Sequence, residues 1–180
     1  MDIDETLLHA SQGGIDRVCD FETELYFVYK RPFVDEFLSF CFANFDVAIW
    51  TAAGSEFAND IEREMIRVHG EPEFVWSSER CTPRFDPNAF ETIPLKNLQK
   101  VKRRGYNLDQ VIMVDDTPQK LAKNYGNLVR VNEYLGSVDD TELLALIKYL
   151  RYLKHVDNVR KVEKRGWQQS FIVSKDGESG

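Results

Sequence analysis

The chain has 180 residues, 43% of them hydrophobic and 29% charged, and a formal net charge of −7. That length suits one domain with a real core, and the acidic balance argues against general nucleic-acid binding and against docking on anionic membranes. The three cysteines, Cys19, Cys41 and Cys81, contain no CxxC pair, so reduced thiols in a cytosol-like compartment are expected rather than a disulfide framework or a zinc site.

In chain order, the first feature is the acidic run Asp2-Ile3-Asp4-Glu5-Thr6, which is neither a signal nor a transit peptide. Ser11-Gln12-Gly13-Gly14 signals a turn. Residues 17–21 and 24–29 read as two short strands of a hairpin. Pro32 opens a helix whose apolar stripe is Phe33, Val34, Phe37, Leu38 and Cys41. Asp46-Val47-Ala48-Ile49-Trp50 reads as a buried strand, and Ser55 as the cap of a helix running to about His69 and stopping at Gly70. Residues 74–76 are another strand candidate. Residues 79–94, with Pro83, Pro87 and Pro94, read as irregular.

A helix is expected over residues 95–104, a buried strand over 110–114, a short helix from Thr117 and Pro118, and a fourth strand over 128–131. Asp139 or Asp140 caps a long amphipathic helix carrying Leu143, Leu144, Ile147, Leu150 and Leu153. Residues 1–169 form the expected domain, and 170–180 an expected disordered tail. No apolar run approaches the roughly 20 residues of a membrane span. Apolar strands alternating with helices predict an α/β fold, Rossmann-like, with a mainly parallel sheet and a small β-hairpin insertion after the first motif. In such sheets ligands bind at the carboxyl ends of the strands.

Several polar motifs fall at those ends. Asp2 and Asp4, two residues apart, suit a split of labour in which one carboxylate attacks phosphorus and the other handles protons. An anionic attacker and a phosphoryl dianion repel each other, which calls for a hard cation such as Mg²⁺ with oxygen ligands. Acidic pairs more commonly cap helices or face solvent, so this motif alone decides little. Thr51, directly after a strand, offers a hydroxyl to a phosphoryl oxygen, or merely caps a turn. Lys96 offers a charge to the nucleophile and the phosphoryl group, although Lys100 and Lys102 lie close by and compete for the role. Asp115-Asp116, delivered by an apolar strand, suits metal binding; the alternative is that Asp116 caps the next helix.

The order of these motifs is the four-part signature of the haloacid dehalogenase superfamily, and the sequence resembles it over roughly residues 2–165. More narrowly it is similar to the small C-terminal-domain, or NLI-interacting-factor-like, phosphatases. The matching segments begin at Asp2 (DIDETLLH), Lys30 (KRPFVDEF), Val47 (VAIWTA), Val114 (VDDTP) and Asp140 (DTEL). The resemblance implies a Mg²⁺-dependent phosphomonoesterase working through an aspartyl-phosphate. It makes Asp2 the nucleophile and a metal ligand, and Asp4 the acid–base group, with its backbone carbonyl on the metal. Thr51 and Lys96 would hold the phosphoryl group, Asp116 would bind the metal and Asp115 would stand behind it. His9 falls near the site rim, where a structural role is favoured. Arg84 is a guess at a substrate contact, and Trp50 and Trp76 pack the core.

The implied substrate is phosphoserine or phosphothreonine in a protein. The alternatives are a small phosphate ester, or an adaptor of the same fold that binds phosphoprotein with little catalysis. A monomer in the cytoplasm or nucleus is expected, with no membrane partner. The basic stretch from Lys148 to Arg165 is a solvated helix face or a docking site for an acidic partner. In the family an apolar strand precedes the first motif, whereas here only Met1 precedes Asp2. Five unburied apolar side chains would forfeit about 1.5–3 kcal/mol each, so a longer native chain, or another segment in that place, is expected.

Overall fold

The computed structural model describes residues 1–87 and 90–171. Its centre is parallel: β4 (Ile49–Trp50) pairs with β5 (Val75–Trp76), and β8 (Met113–Asp115) pairs with β9 (Leu128–Arg130). The start of the chain joins the two pairs. The Met1 ammonium donates to Ala48 O at 2.6 Å, Trp50 N–H donates to Met1 O at 2.9 Å, and Asp2 N–H donates to Val114 O at 2.9 Å. Met1 and Asp2 therefore lie between β4 and β8, and the order across the sheet is β5, β4, residues 1–2, β8, β9. A cavity of about 330 Å³, bordered by Met1, Val47, Ala48, Ile112 and Met113, lies at the amino ends of these strands, away from the acidic motifs.

Two antiparallel additions flank this centre. β1 (Leu8–Ser11), β2 (Phe21–Glu22) and β3 (Phe27–Lys30) form a three-stranded sheet in the order β1-β3-β2. A hairpin is present as β2 and β3, with its first strand at Phe21–Glu22 rather than over residues 17–21, and Leu8–Ser11 adds a strand that was not expected. β6 (Thr82–Asp86) and β7 (Glu91–Leu95) form a ribbon where irregular chain was expected. Pro83 and Pro94 sit opposite each other in it. A two-stranded ribbon has only edge strands, which tolerate a missing N–H.

The helices cover the sheet. α1 (Val34–Asn44) buries Val34, Phe37, Leu38 and Cys41, a stripe at helical spacing. Phe33 is not part of it: it takes the left-handed N-cap position at φ 65° and is exposed. α2 (Ser55–Ile61) is capped by Gly54 rather than Ser55, and continues as a wider π-type turn over Glu62–Ile66. α3 spans Gln99–Lys102, shorter than expected, because the N–H groups of Lys96 and Leu98 bond instead to Lys120 O and Asn124 Oδ1. α4 (Glu142–Leu153) buries Leu143, Leu146, Ile147, Leu150 and Leu153. Leu144, expected on that stripe, is only partly buried, and Leu146 takes its place. α5 (Gln168–Phe171) packs on α4 through Tyr149, which stacks on Trp167 at 5.0 Å and lies 5.1 Å from Phe171. It crosses the expected boundary at residue 169, and residues 172–180 of the expected tail lie outside the described residues. No helix among the described residues is long and apolar enough to cross a membrane.

Leu146 is fully buried in the core cluster with Ile3, Leu7 and Leu38. Leu146→Ala is expected to lower stability by about 2–5 kcal/mol, through lost transfer energy and a residual cavity. Leu144→Ala should cost clearly less. Urea unfolding midpoints check the pair, and equal losses would place α4 in the wrong rotation.

Candidate active site

The carboxyl ends of the parallel strands bring the sequence motifs together. Asp2 stands at the central position, Thr51 follows β4, Asp115 ends β8 and Asp116 follows it. Lys96 follows β7, whose last residue Leu95 pairs with Thr82. The chain turns sharply after Asp4: Ile3 O accepts from both Thr6 N–H (3.2 Å) and Leu7 N–H (2.8 Å), and Glu5 adopts φ 57°. This turn aims Asp2 and Asp4 at one space. Thr6 then ties the first motif to the last, its hydroxyl donating to Asp116 Oδ1 at 3.3 Å.

Asp2 is completely buried. Its Oδ1 accepts from Ile3 N–H at 2.9 Å, and its Oδ2 faces Lys96 Nζ at 2.8 Å and Lys120 Nζ at 3.0 Å. Burial pushes its pKa up, but the two ammonium groups outweigh that and hold it at about 2. Lys96 Nζ also lies 2.6 Å from Asp115 Oδ2, while Asp115 Oδ1 accepts from Thr117 N–H at 2.9 Å. Burial and the charge of Asp2 push Asp115 upward, to about 6. Lys96, rather than Lys100, is the lysine that reaches the carboxylates; Lys100 donates to Arg80 O at 2.7 Å instead.

Asp4 lies beside these groups, and its Oδ2 accepts from the Thr51 hydroxyl at 3.4 Å. The same Thr51 Oγ1 accepts from Ala53 N–H at 3.0 Å, which orients it. Burial, then the Asp2 charge, raise Asp4 to about 6. Adjacent carboxyls are thereby pushed apart: Asp2 stays ionised and Asp4 keeps a proton into the mildly acidic range, the pattern that separates a nucleophile from an acid. Asp116 Oδ2 accepts from the Thr117 hydroxyl at 2.6 Å. It is Asp115, not Asp116, that takes the N–H of the residue capping the next turn.

Asp2, Asp115 and Asp116 each present an oxygen, all within 4.8 Å of one another. Three hard carboxylate oxygens on a rigid strand end fit Mg²⁺. Asp4 is not in that side-chain cluster, and its expected link to a metal is through its backbone carbonyl. Lys120 was missed by sequence reading. Its signal was available: it lies four residues after Asp116, on a turn opened by Pro118 (the 3₁₀ segment Pro118–Leu121), a spacing that brings a cation back to a carboxylate. His9 stacks on Tyr29 at 6.2 Å and sits 3.9 Å from Glu5, a structural placement, and burial lowers its pKa. Arg84 is exposed on β6. Trp50 and Trp76 meet edge to face at 4.9 Å in the second core cluster.

A family model described as NLI interacting factor-like phosphatase matches residues 1–160. Nuclear envelope morphology protein 1 of Saccharomyces cerevisiae is 29% identical over 183 residues, covering 90% of this chain and 40% of the yeast protein. CTD small phosphatase-like protein 2 of Dictyostelium discoideum is 30% identical over 167 residues, covering 89% and 28%. The human CTD small phosphatase-like protein is 28% identical over 166 residues, covering 88% and 56%. The chain thus spans between 28% and 56% of the length of these relatives. The structure of Fcp1, an essential RNA polymerase II CTD phosphatase, superposes with a TM-score of 0.55 at 16% identity, over 84% of this chain and 46% of that one. That likeness is one of fold.

Proposed function

Since the chain belongs to the NLI interacting factor-like phosphatase family, we propose that it hydrolyses phosphomonoesters through an aspartyl-phosphate on Asp2, with phosphoserine or phosphothreonine of a protein as the substrate class. One observation carries the reading: a buried carboxylate held ionised by two lysines, 2.8 and 3.0 Å away, beside a second carboxyl that burial and charge keep protonatable. The first is poised to attack and the second to donate.

In this reading the Asp2 oxygen attacks phosphorus and the ester oxygen leaves with the proton of Asp4. Asp4, now a carboxylate, takes a proton from the water that opens the acyl-phosphate and returns Asp2 to its starting state. Thr51 holds Asp4 in place and lends its hydroxyl to the phosphoryl oxygens. Lys96, clamped between Asp2 and Asp115, supplies positive charge where phosphoryl charge gathers. Asp2 and Asp116, with the carbonyl of Asp4, would hold Mg²⁺, and Asp115 would orient Lys96 behind them. Bound there, the ion would neutralise the repulsion between Asp2 and an incoming dianion.

We assign the catalytic unit to residues 1–169, acting as a monomer in the cytoplasm or nucleus, where its free cysteines would stay reduced. Comparing kcat/KM on phosphopeptides, sugar phosphates and nucleotides, with Mg²⁺ and with chelator, tests the substrate class. A metabolite favoured by more than about tenfold, or 1.4 kcal/mol, would overturn the protein-phosphatase assignment.

The pH profile tests Asp4. An acid must carry its proton, and Asp4 does so below about 6. For an alkyl phosphate, kcat/KM should therefore be flat below that pH and fall as pH rises through it. Asp4→Asn should lower kcat/KM on that ester by about 10²–10⁴-fold. The loss should be smaller on p-nitrophenyl phosphate, whose phenolate leaves without a proton. Equal losses on both esters would remove Asp4 from the acid role.

A further inference from the structure

Lys120 has more contacts with the acidic cluster than the mechanism above uses. Its Nζ lies 3.0 Å from Asp2 Oδ2, 3.7 Å from Asp115 Oδ1 and 3.8 Å from Asp116 Oδ1. These are the same three carboxylates that converge within 4.8 Å of one another. The geometry points to Lys120 as an internal counter-cation of the metal site, one that a divalent ion must displace in order to bind.

Lys96 and Lys120 are placed differently. Lys96 has no exposed side-chain surface and is gripped by Asp2 and Asp115 at 2.8 and 2.6 Å. It has nowhere to go. The Lys120 side chain is 16% exposed and makes its contacts at longer range. Its backbone, in contrast, is pinned: Lys96 N–H donates to Lys120 O at 2.8 Å, and Lys120 N–H donates to Thr117 O at 3.1 Å. A fixed backbone bearing a long, four-carbon side chain allows the charge to swing without moving the fold.

The electrostatics require some such cation. Asp2, Asp4, Asp115 and Asp116 crowd one strand end, and Lys96 offsets only part of their charge. An ammonium among them lowers the repulsion, and Lys120 Nζ stands beside all three carboxylates of the cluster, whereas Lys96 touches only Asp2 and Asp115. A divalent ion held by those three carboxylates would need the place that the Lys120 ammonium fills, so the two compete. Once displaced, the ammonium remains tethered at the mouth of the site, where a phosphoryl dianion is the anion it would meet. Lys120 thereby links metal occupancy to phosphoryl capture. This inference rests on the metal-dependent phosphatase reading, but it is tested without turnover.

Calorimetric titration of metal-free protein with MgCl₂ should show Lys120→Met binding Mg²⁺ at least about tenfold more tightly than wild type, because the competitor is gone. Lys123→Met, a lysine exposed just beyond the same turn, should bind Mg²⁺ as wild type does. In wild type, saturating Mg²⁺ should raise the rate of Lys120 acetylation severalfold and leave Lys123 unchanged. Equal or weaker Mg²⁺ binding by Lys120→Met, or a Lys120 acetylation rate indifferent to Mg²⁺, would overturn the inference. Should Lys120→Met fail to fold, the wild-type acetylation alone decides. A protein that shows these metal effects yet cleaves no phosphate ester would sink the phosphatase reading and leave the role of Lys120 standing.

Discussion

Asp2→Asn is expected to abolish phosphatase activity, lowering kcat on p-nitrophenyl phosphate by about 10⁴-fold or more, as removal of a covalent nucleophile does. The amide keeps the shape of the side chain but loses the charge. It also turns either a weak acceptor or a donor toward Lys96 and Lys120, which now meet Asp2 Oδ2 at 2.8 and 3.0 Å. The substitution leaves Lys96 its second partner, Asp115 at 2.6 Å, so the fold should survive and the loss should be chemical. Steady-state assays with Mg²⁺, paired with a melting curve of the variant, check this. Residual activity within about tenfold of wild type, in a folded variant, would move the nucleophile elsewhere.

Asp140→Ala is expected to cost about 3–5 kcal/mol of stability, the usual loss when one partner of a buried ion pair is removed. Arg31 is almost wholly buried. Its Nε and Nη2 donate to the two Asp140 oxygens at 2.9 and 2.8 Å, and its Nη1 donates to Thr6 O at 3.0 Å. Without Asp140 the guanidinium keeps that carbonyl and the Tyr134 ring, 5.3 Å away, but no carboxylate. Asp140 Oδ1 also accepts from Glu142 N–H at 3.0 Å, just ahead of α4, whose N-cap is Thr141, and that bond goes too. Total stabilities of about 5–15 kcal/mol make such a loss large. Urea unfolding gives the number, and a midpoint shift worth under about 1 kcal/mol would show the pair to be dispensable. Because Arg31 holds Thr6, and the Thr6 hydroxyl holds Asp116, the variant should also lose activity below its melting temperature.

Legibility differed from element to element. The helical stripe of α1 and most of that of α4 were readable because apolar residues recur every three or four positions, the signature of a helix with one buried face. The short buried strands showed as apolar runs ahead of polar motifs. Residues 79–94 did not, because their prolines look like breakers until a partner strand is seen to leave those positions on an edge. Leu8–Ser11 was hidden behind the motif it follows, since four residues carry too little periodicity to declare a strand. The capping roles at Ser55 and Asp140 show the same limit. Gly54 stands at the N-cap of α2 and Thr141, not Asp139 or Asp140, at that of α4, while Asp140 accepts from Glu142 N–H and also holds a buried arginine 109 positions away.

The sequence by itself determined the chemistry available: Asp2, Asp4, Thr51, Lys96, Asp115 and Asp116, in an order and at strand ends that match one family. Residue type and local spacing suffice for that, because acids, hydroxyls and lysines carry their reactivity wherever the chain puts them. Only the tertiary structure decided how the work is divided. Asp2 and Asp115 share one lysine from a third segment, Asp4 leans on Thr51 rather than on a cation, and Lys120 enters the acidic cluster from the turn that Thr117 and Pro118 open. These roles follow from distance and burial across 19 to 118 positions of chain. At such separations no local pattern records them, and the field at each carboxyl is set by neighbours that only the fold supplies.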